Sequence, residues 1–321
     1  MVDAVAALAY GGPESLGIIE VPHRDPRPGE VVVAVRAAAL NPWDAKQAAG
    51  AAGTDPAKLP LRLGVEAAGV IVAVGADDDG AAPLGADGLP LAVGDEVLGT
   101  GLRGAQAAEL TAPGDRLLHK PAGAGWADAA GLLLTGTTAA HGLHAVALAE
   151  GETLLVHGGS GGVGRLVVQL ARRGGARVLA TASEGHHDDL RRLGAEPIVY
   201  GEGLEQRVRE LAPHGVDAAF DCVGTEEALA VSLAVLADPA RLVTIANAGP
   251  VMAAGGQAIG AAPGADAGTA VRNAARVDLV RALGEGALEV EIAATFPLAR
   301  AREAYELLAT GHAGGKVVLE V

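Results

Sequence analysis

The sequence holds a single cysteine, Cys222, which rules out internal disulfides and fits a reducing cytoplasm. Aromatic residues make up only 2% of its 321 positions, so the core has to be built mainly from Ala, Val and Leu. Basic residues are also scarce, with 24 Lys and Arg against 39 Asp and Glu. The net charge of −15 leaves no basic patch to neutralise phosphates and argues against a nucleic-acid partner. No stretch approaches the roughly eighteen uncharged apolar residues of a membrane span, so no membrane partner is expected. The opening MVDAVAALAYGGPE lacks the basic flank and long apolar run of a signal peptide, and the expected location is the cytoplasm. With 50% hydrophobic and 20% charged residues the chain reads as globular, and its length predicts two domains.

The most informative segment is Thr153–Ser183, TLLVHGGSGGVGRLVVQLARRGGARVLATAS. A short β-rich run (Thr153–His157) leads straight into Gly159-Ser160-Gly161-Gly162-Val163-Gly164. Leu166, Val167 and Leu170 then repeat at helical spacing, Gly174-Gly175 stops the helix, and Arg177–Thr181 forms a second strand. The three fingerprint glycines, Gly159, Gly161 and Gly164, serve a tight turn, close backbone approach to a pyrophosphate, and close helix–strand packing. The helix beginning near Gly162 offers free N–H groups and a positive dipole end to phosphates. A Walker A loop has the same glycine spacing, but Arg165 and Leu166 stand where Lys and Ser/Thr are required, which excludes it.

Residues 1 to about 121 read as short strands between turns, with Glu30–Ala37, Ala67–Val74 and the Gly94–Leu98 entry as the clearest, and Gly80–Pro90 as a surface loop. Without βα alternation, this half is expected to be a compact, barrel-like β domain. From Trp126 a helical pattern (Ala127–Ala147) opens a βα series with strands at Ala195–Val199, Val216–Asp221 and Leu242–Ile245 and helices at Asp188–Leu193, Leu204–Leu211 and Thr225–Ala237. Such alternation implies a parallel sheet. Ala248–Gly268 carries no period and reads as a mobile connection. A helix near Ala270–Gly284, a strand near Val290–Phe296, a helix at Leu298–Leu308 and a last strand at Lys316–Val321 complete the chain.

In that order the segments resemble the medium-chain dehydrogenase/reductase superfamily, in its zinc-free quinone oxidoreductase (zeta-crystallin-like) branch. The motifs carrying the match are Tyr10-Gly-Gly-Pro-Glu, Pro28-Gly-Glu-Val, Asn41-Pro-Trp-Asp, Gly64-Val-Glu-Ala-Ala-Gly, Val93-Gly-Asp-Glu-Val, Gly136-Thr-Thr-Ala, the glycine fingerprint, Leu193-Gly-Ala, Asp221-Cys-Val-Gly and Gly315-Lys-Val-Val. The resemblance implies an α/β fold: a GroES-like β-barrel catalytic domain (residues 1–122), a Rossmann doubly wound parallel-sheet domain (123–264), and a C-terminal segment (265–321) returning to the first. It also implies a homodimer, by analogy with relatives.

Many relatives use zinc held by Cys and His. Here Asn41 stands at the first Cys position and Val65 at the His position, with Glu66 beside it kept, and the four-cysteine structural lobe is impossible with one cysteine. His141 and His144, three apart on one helix, read as packing residues, and no metal site is expected. For the coenzyme, the end of the second fingerprint strand falls at Ser183, where NAD-specific domains carry an acid that binds the ribose 2′-OH. A hydroxyl there can donate to a 2′-phosphate and does not repel it. His186, His187 and Arg191 lie just beyond, and Glu184 opposes the phosphate if it points inward. The expectation is NADP(H).

The resemblance places Asn41 and Thr138 at the nicotinamide end, Tyr10 in a substrate cleft between the domains, and Val223, Ala246 and Asn247 in loops over the coenzyme. Asn41 offers both a donor and an acceptor to a carboxamide or an incipient enolate, and the alternative is a turn residue before Pro42. Asp44 reads as orienting that loop, Lys46 as exposed, and Cys222 as a small core hydrophobe. The Tyr-x-x-x-Lys pattern is absent, since Glu14, Leu204 and Ala309 follow the three tyrosines at that spacing. No side chain stands out as proton donor. Without a strong Lewis acid, a quinone or an α,β-unsaturated carbonyl is the expected acceptor, because its developing anion is delocalised. Two alternatives stay open: a dedicated biosynthetic enoyl or keto reductase, and a non-catalytic NADPH-binding protein acting as sensor or scaffold.

Overall fold

The computed structural model describes residues 1–76 and 79–321, which gather into two compact units, Met1–Leu134 with Arg276–Val321, and Thr135–Ala275. In the first unit a seven-stranded sheet runs in the order Ile292–Pro297, Lys316–Glu320, Glu30–Leu40, Glu66–Val74, Glu96–Thr100, Leu117–His119, and Glu109–Pro113 also pairs with Glu30–Leu40. A three-stranded sheet joins Leu16–Val21, Val2–Ala7 and Leu61–Arg62. The Glu30 strand turns Val31, Val33 and Val35 onto a core shared with Ile71, Val97 and Leu110, and the intervening Val32 is buried as well, burial that suits β-branched residues. A second core packs Val5, Leu40, Leu63, Val317 and Leu319 around Tyr305, whose hydroxyl donates to Gln106 Oε1 at 2.9 Å. Gly80–Pro90 is loop apart from one bridge, Leu84 to Pro90.

Strand register prepares the chemistry of this unit. Val317 lies opposite Leu40 and Ala38 opposite Ala67. The residue before Val317, the one after Leu40 and the one before Ala67 are Lys316, Asn41 and Glu66, so the register brings all three to the same end of the sheet.

The second unit is a six-stranded, wholly parallel sheet in the order Glu196–Val199, Arg177–Ala182, Thr153–His157, Ala218–Asp221, Leu242–Thr244, Gln257–Ala258. The helix Gly162–Arg173 buries Leu166, Val167, Val168 and Ala171 against it and ends with Arg172 and Arg173 in the last turn, where the helix dipole favours cations. The helices Leu204–Leu211 and Glu226–Val235 agree with the expected pattern, with Thr225 capping the second. The strand expected at Leu242–Ile245 ends at Thr244.

One expectation is corrected. Ala248–Gly268 is no featureless connection: it holds a helix, Ala248–Ala253, and the edge strand Gln257–Ala258, paired through Val243–Gln257 and Thr244–Ala258. Val251, Ala258 and Ile259 are buried, so apolar packing and ladder pairing order a segment whose Ala and Gly content shows no period. The tail forms the helix Thr269–Gly284, the strand Ile292–Pro297, the helix Ala301–Ala309 and the strand Lys316–Glu320. Among the described residues no helix is long and apolar enough to cross a membrane.

Candidate active site

The Thr153–His157 strand is where the parallel sheet of the second unit changes winding direction, with two strands on one side of it and three on the other. Ligands of such sheets bind outside the carboxyl ends of the strands at this switch point. The fingerprint turn lies there. Thr181 holds it from the neighbouring strand: Gly158 N–H donates to Thr181 Oγ1 at 3.0 Å and Gly159 N–H to Thr181 O at 2.9 Å. The left-handed residue is Gly158, with φ of 78°, one place before the motif, so the tight turn belongs to it and not to Gly159. A Cβ on Gly164 would sit 2.1 Å from the Gly158 carbonyl oxygen, which is why helix and turn pack closely only with glycine there. A Cβ on Gly161 would meet only that oxygen, at an ordinary 3.6 Å, so protein packing leaves room above Gly161.

Two further loops come in beside the cradle, and one aspartate organises both. Asp221 Oδ1 accepts from the N–H groups of Val223 (2.9 Å) and Gly224 (2.8 Å), and Oδ2 accepts from Thr244 Oγ1 at 2.7 Å. Thr244 Oγ1 in turn accepts from the N–H groups of Ala246 and Asn247, each at 3.1 Å. Gly158 and Gly224 fix how near the loops lie, since added Cβ atoms would come within 2.5 Å of Val223 and 2.9 Å of Ala246. Beneath the turn, His157 is buried with Nε2 3.0 Å from Ser232 Oγ, and burial lowers its pKa to about 4, leaving a neutral imidazole at physiological pH.

Ser183 is exposed at the end of the Arg177–Ala182 strand, with Glu184 also exposed. His187 Nε2 lies 3.4 Å from Ala182 O. Arg191 turns instead to Asp188, Nη1 to Oδ1 at 2.6 Å, so its charge is spent on an exposed pair. The buried Arg165 ties the cradle to this segment through Ser160 O (3.0 Å) and Asp189 Oδ2 (2.9 Å), and its guanidinium holds the Asp189 carboxyl below the usual range. Thr138, nearly buried, accepts from Arg272 Nη1 at 2.9 Å. Arg272 Nε donates to His141 Nδ1 at 3.3 Å, and His141 Nε2 faces Asp266 at 3.0 Å, so His141 is held by polar partners while His144 is exposed.

In the first unit Asn41 caps the short helix Pro42–Ala48, with Pro42 at its first position. Its backbone N–H donates to Asp44 Oδ2 at 2.9 Å, the loop-orienting part expected of Asp44, while Lys46 is exposed. The Asn41 side chain is 3% exposed: Oδ1 accepts from Lys316 Nζ at 2.6 Å and Nδ2 donates to Glu66 Oε1 at 3.0 Å. Its acceptor is therefore spent, and the expected dual donor–acceptor capacity narrows to the remaining Nδ2–H, on an amide that also lies beside Asp44. Lys316 Nζ reaches Glu66 Oε1 at 2.8 Å and Leu40 O at 3.2 Å, and Glu66 Oε2 accepts from Leu134 N–H at 2.8 Å. Asp44 is wholly buried, and that burial raises its pKa to about 7 against the pull of the Asn41 N–H and the Lys316 ammonium. Tyr10 is half-buried and donates from its hydroxyl to Asp55 O at 2.8 Å.

Gly158, Arg165, Asp221, Thr244, Arg272 and Lys316 were absent from the sequence-derived site. Asp221 had a readable signal, an aspartate closing a strand before a turn. Lys316 had none outside the resemblance.

Two family models cover most of the chain: an alcohol dehydrogenase GroES-like domain over residues 27–169 and a zinc-binding dehydrogenase domain over 193–319. The chain is 32% identical over 97% of its length to the NADPH-dependent alkenal/one oxidoreductase of Arabidopsis thaliana chloroplasts, covering 77% of that protein. It belongs to the medium-chain dehydrogenases/reductases, in their zinc-independent, quinone-oxidoreductase-like branch. Over 66% of its length it is also 40% identical to erythronolide synthase EryA2 of Saccharopolyspora erythraea, but spans only 6% of that synthase. Two solved structures superpose over the whole chain. The quinone oxidoreductase of Coxiella burnetii gives a TM-score of 0.81 at 29% identity over 99% of its chain. A mycobacterial protein solved with NADPH gives 0.84 at 28% identity over 100% of its chain.

The zinc in one family model's description does not suit these residues. Asn41 Oδ1 and Glu66 Oε1 already accept from the Lys316 ammonium, Glu66 Oε2 accepts from Leu134 N–H, and Val65 has no ligating atom.

Proposed function

We propose that this protein is an NADPH-dependent oxidoreductase that delivers hydride to a quinone or an α,β-unsaturated carbonyl without zinc. The observation carrying the reading is the glycine cradle at the switch point of the parallel sheet, followed by Ser183 where an acid would oppose a 2′-phosphate. An NADPH-dependent relative matched over 97% of this chain and an NADPH-bound neighbour matched over its whole length support it. In this reading residues 1–122 with the returning segment 265–321 form the catalytic domain and 123–264 the NADP-binding domain, in a cytoplasmic homodimer.

The residues fit the coenzyme. Gly161 leaves backbone exposed to a pyrophosphate, and the amides opening the Gly162–Arg173 helix face an anion with the positive dipole end. Ser160, Gly162 and Val163 complete that cradle; Val223, Ala246 and Asn247, fixed through Asp221, wall it. Ser183 Oγ and His187 take the 2′-phosphate. Bound nicotinamide supplies the hydride. Thr138 orients its carboxamide end, Asn41 offers a donor only, and Tyr10 borders the acceptor. With donors in place of a metal, only an acceptor that spreads its developing charge is reduced well.

The identity to a stretch of a polyketide synthase favours a second reading, reduction of an enoyl thioester. NADPH oxidation across enones, enoyl thioesters, quinones and simple ketones tests both. Conjugated acceptors should exceed simple ketones by about 100-fold or more in kcat/KM. A simple ketone as the best acceptor would overturn the proposal, and strong selectivity for thioesters would shift it to the second reading.

A further inference from the structure

The polar cluster around Asn41 joins residues from four separate segments: the loop after Leu40, the Pro42–Ala48 helix, the start of the Glu66–Val74 strand and the start of the Lys316–Glu320 strand. Lys316 is 5% exposed and Glu66 fully buried, so both charges have left water. Burial on that scale is costly, and replacing such a pair with apolar residues of similar size is often stabilising. Stability alone is therefore a weak reason for the pair. What the geometry does accomplish is orientation. The three hydrogens of an ammonium match three acceptors, Leu40 O at 3.2 Å, Asn41 Oδ1 at 2.6 Å and Glu66 Oε1 at 2.8 Å. Glu66 Oε1 also takes the Asn41 Nδ2–H, while Leu134 N–H pins its other oxygen. A flipped Asn41 amide would set its NH2 against the ammonium and its oxygen against the carboxylate, two buried repulsions. Only one orientation survives.

We propose that Lys316, acting with Glu66, is the positioning residue that fixes the Asn41 amide with its oxygen on the ammonium, so that only the Nδ2–H beside Asp44 is left to donate to the coenzyme or the acceptor. Lys316 itself touches neither, because all three of its hydrogens are committed. The inference rests on the reading of Asn41 as a donor in the reduction, and the experiment separates the two.

Lys316→Met alone leaves Glu66 buried and unpaired and is expected to fold poorly, so the informative variant is K316M/E66Q, which removes both charges together. It is compared with N41A and with the triple variant, always with NADPH and a conjugated enone. N41A should lose about 100-fold in kcat, the scale for one preorganised donor. K316M/E66Q should lose at least about 10-fold in kcat with the KM for NADPH changed less than about threefold, since the cradle is untouched. In the N41A background the same pair of changes should cost less than about twofold, because Lys316 acts only through Asn41. In the coenzyme-free protein, the Asn41 side-chain NH2 should give two separate, slowly exchanging 15N-correlated signals, and K316M/E66Q should exchange them at least about 10-fold faster. If N41A costs nothing, the donor reading of Asn41 fails and this inference with it. If N41A costs its 100-fold but K316M/E66Q keeps kcat within about threefold, or its loss persists undiminished in the N41A background, Lys316 is not a positioning residue.

Discussion

The glycine cradle and the Asn41 cluster are built in opposite ways. The cradle is made by leaving side chains out: glycines at 158, 161 and 164 keep a turn tight, a helix close and a surface open. The cluster is made by packing charge in: two carboxylates, an amide and an ammonium are buried together. A bound dinucleotide needs room and backbone amides, which subtraction provides. An oriented donor needs partners that forbid its other orientation, which only buried charge provides. The first construction tolerates almost no added volume, whereas the second tolerates no one-sided loss from the Lys316–Glu66 pair.

The largest expected effect follows from that intolerance of volume. Gly164→Val would push carbon into the Gly158 carbonyl, now 2.1 Å from the ideal Cβ, and should abolish any NADPH-induced rise in melting temperature. An unchanged rise would mean that the coenzyme does not use this turn. Next, Ser183→Asp should weaken NADPH by about 100-fold and leave NADH nearly unaffected, since it sets a carboxylate against the 2′-phosphate. Equal losses for the two coenzymes in a titration would remove Ser183 from recognition. Gly161→Ala sharpens the contrast within the cradle. Its Cβ has ordinary room in the protein, so the melting temperature should hold within about 2 °C while NADPH affinity drops about 10-fold.

On the charged side, Asp44→Asn tests burial through pH. The folded protein holds the Asp44 proton up to about pH 7, while an ordinary aspartate releases it near 3.8. The unfolded chain therefore releases the proton first, and this group's contribution falls as pH rises from about 4 to 7, then levels off. The asparagine has no such proton, so D44N should gain up to about 4 kcal/mol over the parent at pH 8 and little at pH 4, read from urea unfolding. A parallel pair of pH profiles would show that Asp44 ionises normally. The smallest effect concerns Cys222, whose thiol burial pushes well above the usual range: labelling at pH 8 should run at least about 10-fold slower in the native protein than in urea.

The two constructions also differ in how visible they are in the chain. The cradle lies within seven consecutive residues, 158–164, and its residue types follow from steric need, so the fingerprint, its flanking strands and the parallel sheet could be read directly. Even there the left-handed residue is Gly158, just outside the motif, because spacing does not disclose which glycine turns. The cluster is assembled by strand register from positions 275 apart, Asn41 and Lys316, and no local pattern encodes that meeting. Sequence could therefore nominate Asn41 but not show that its acceptor is consumed. Asp221 is intermediate: its place at a strand end was readable, but the Thr244 hydroxyl that extends its reach to Asn247 was not. The Ala248–Ala253 helix leaves no mark in the sequence because a stretch of Ala and Gly carries too little apolar contrast to show a period.

The most direct measurement is the product formed from a conjugated enal and NADPH, followed by NMR. Hydride delivered to a delocalising acceptor without a Lewis acid yields the saturated aldehyde, one NADPH consumed per double bond. An allylic alcohol as the main product would contradict this, because carbonyl reduction calls for the strong polarisation that Asn41, Glu66 and Lys316 are not arranged to supply.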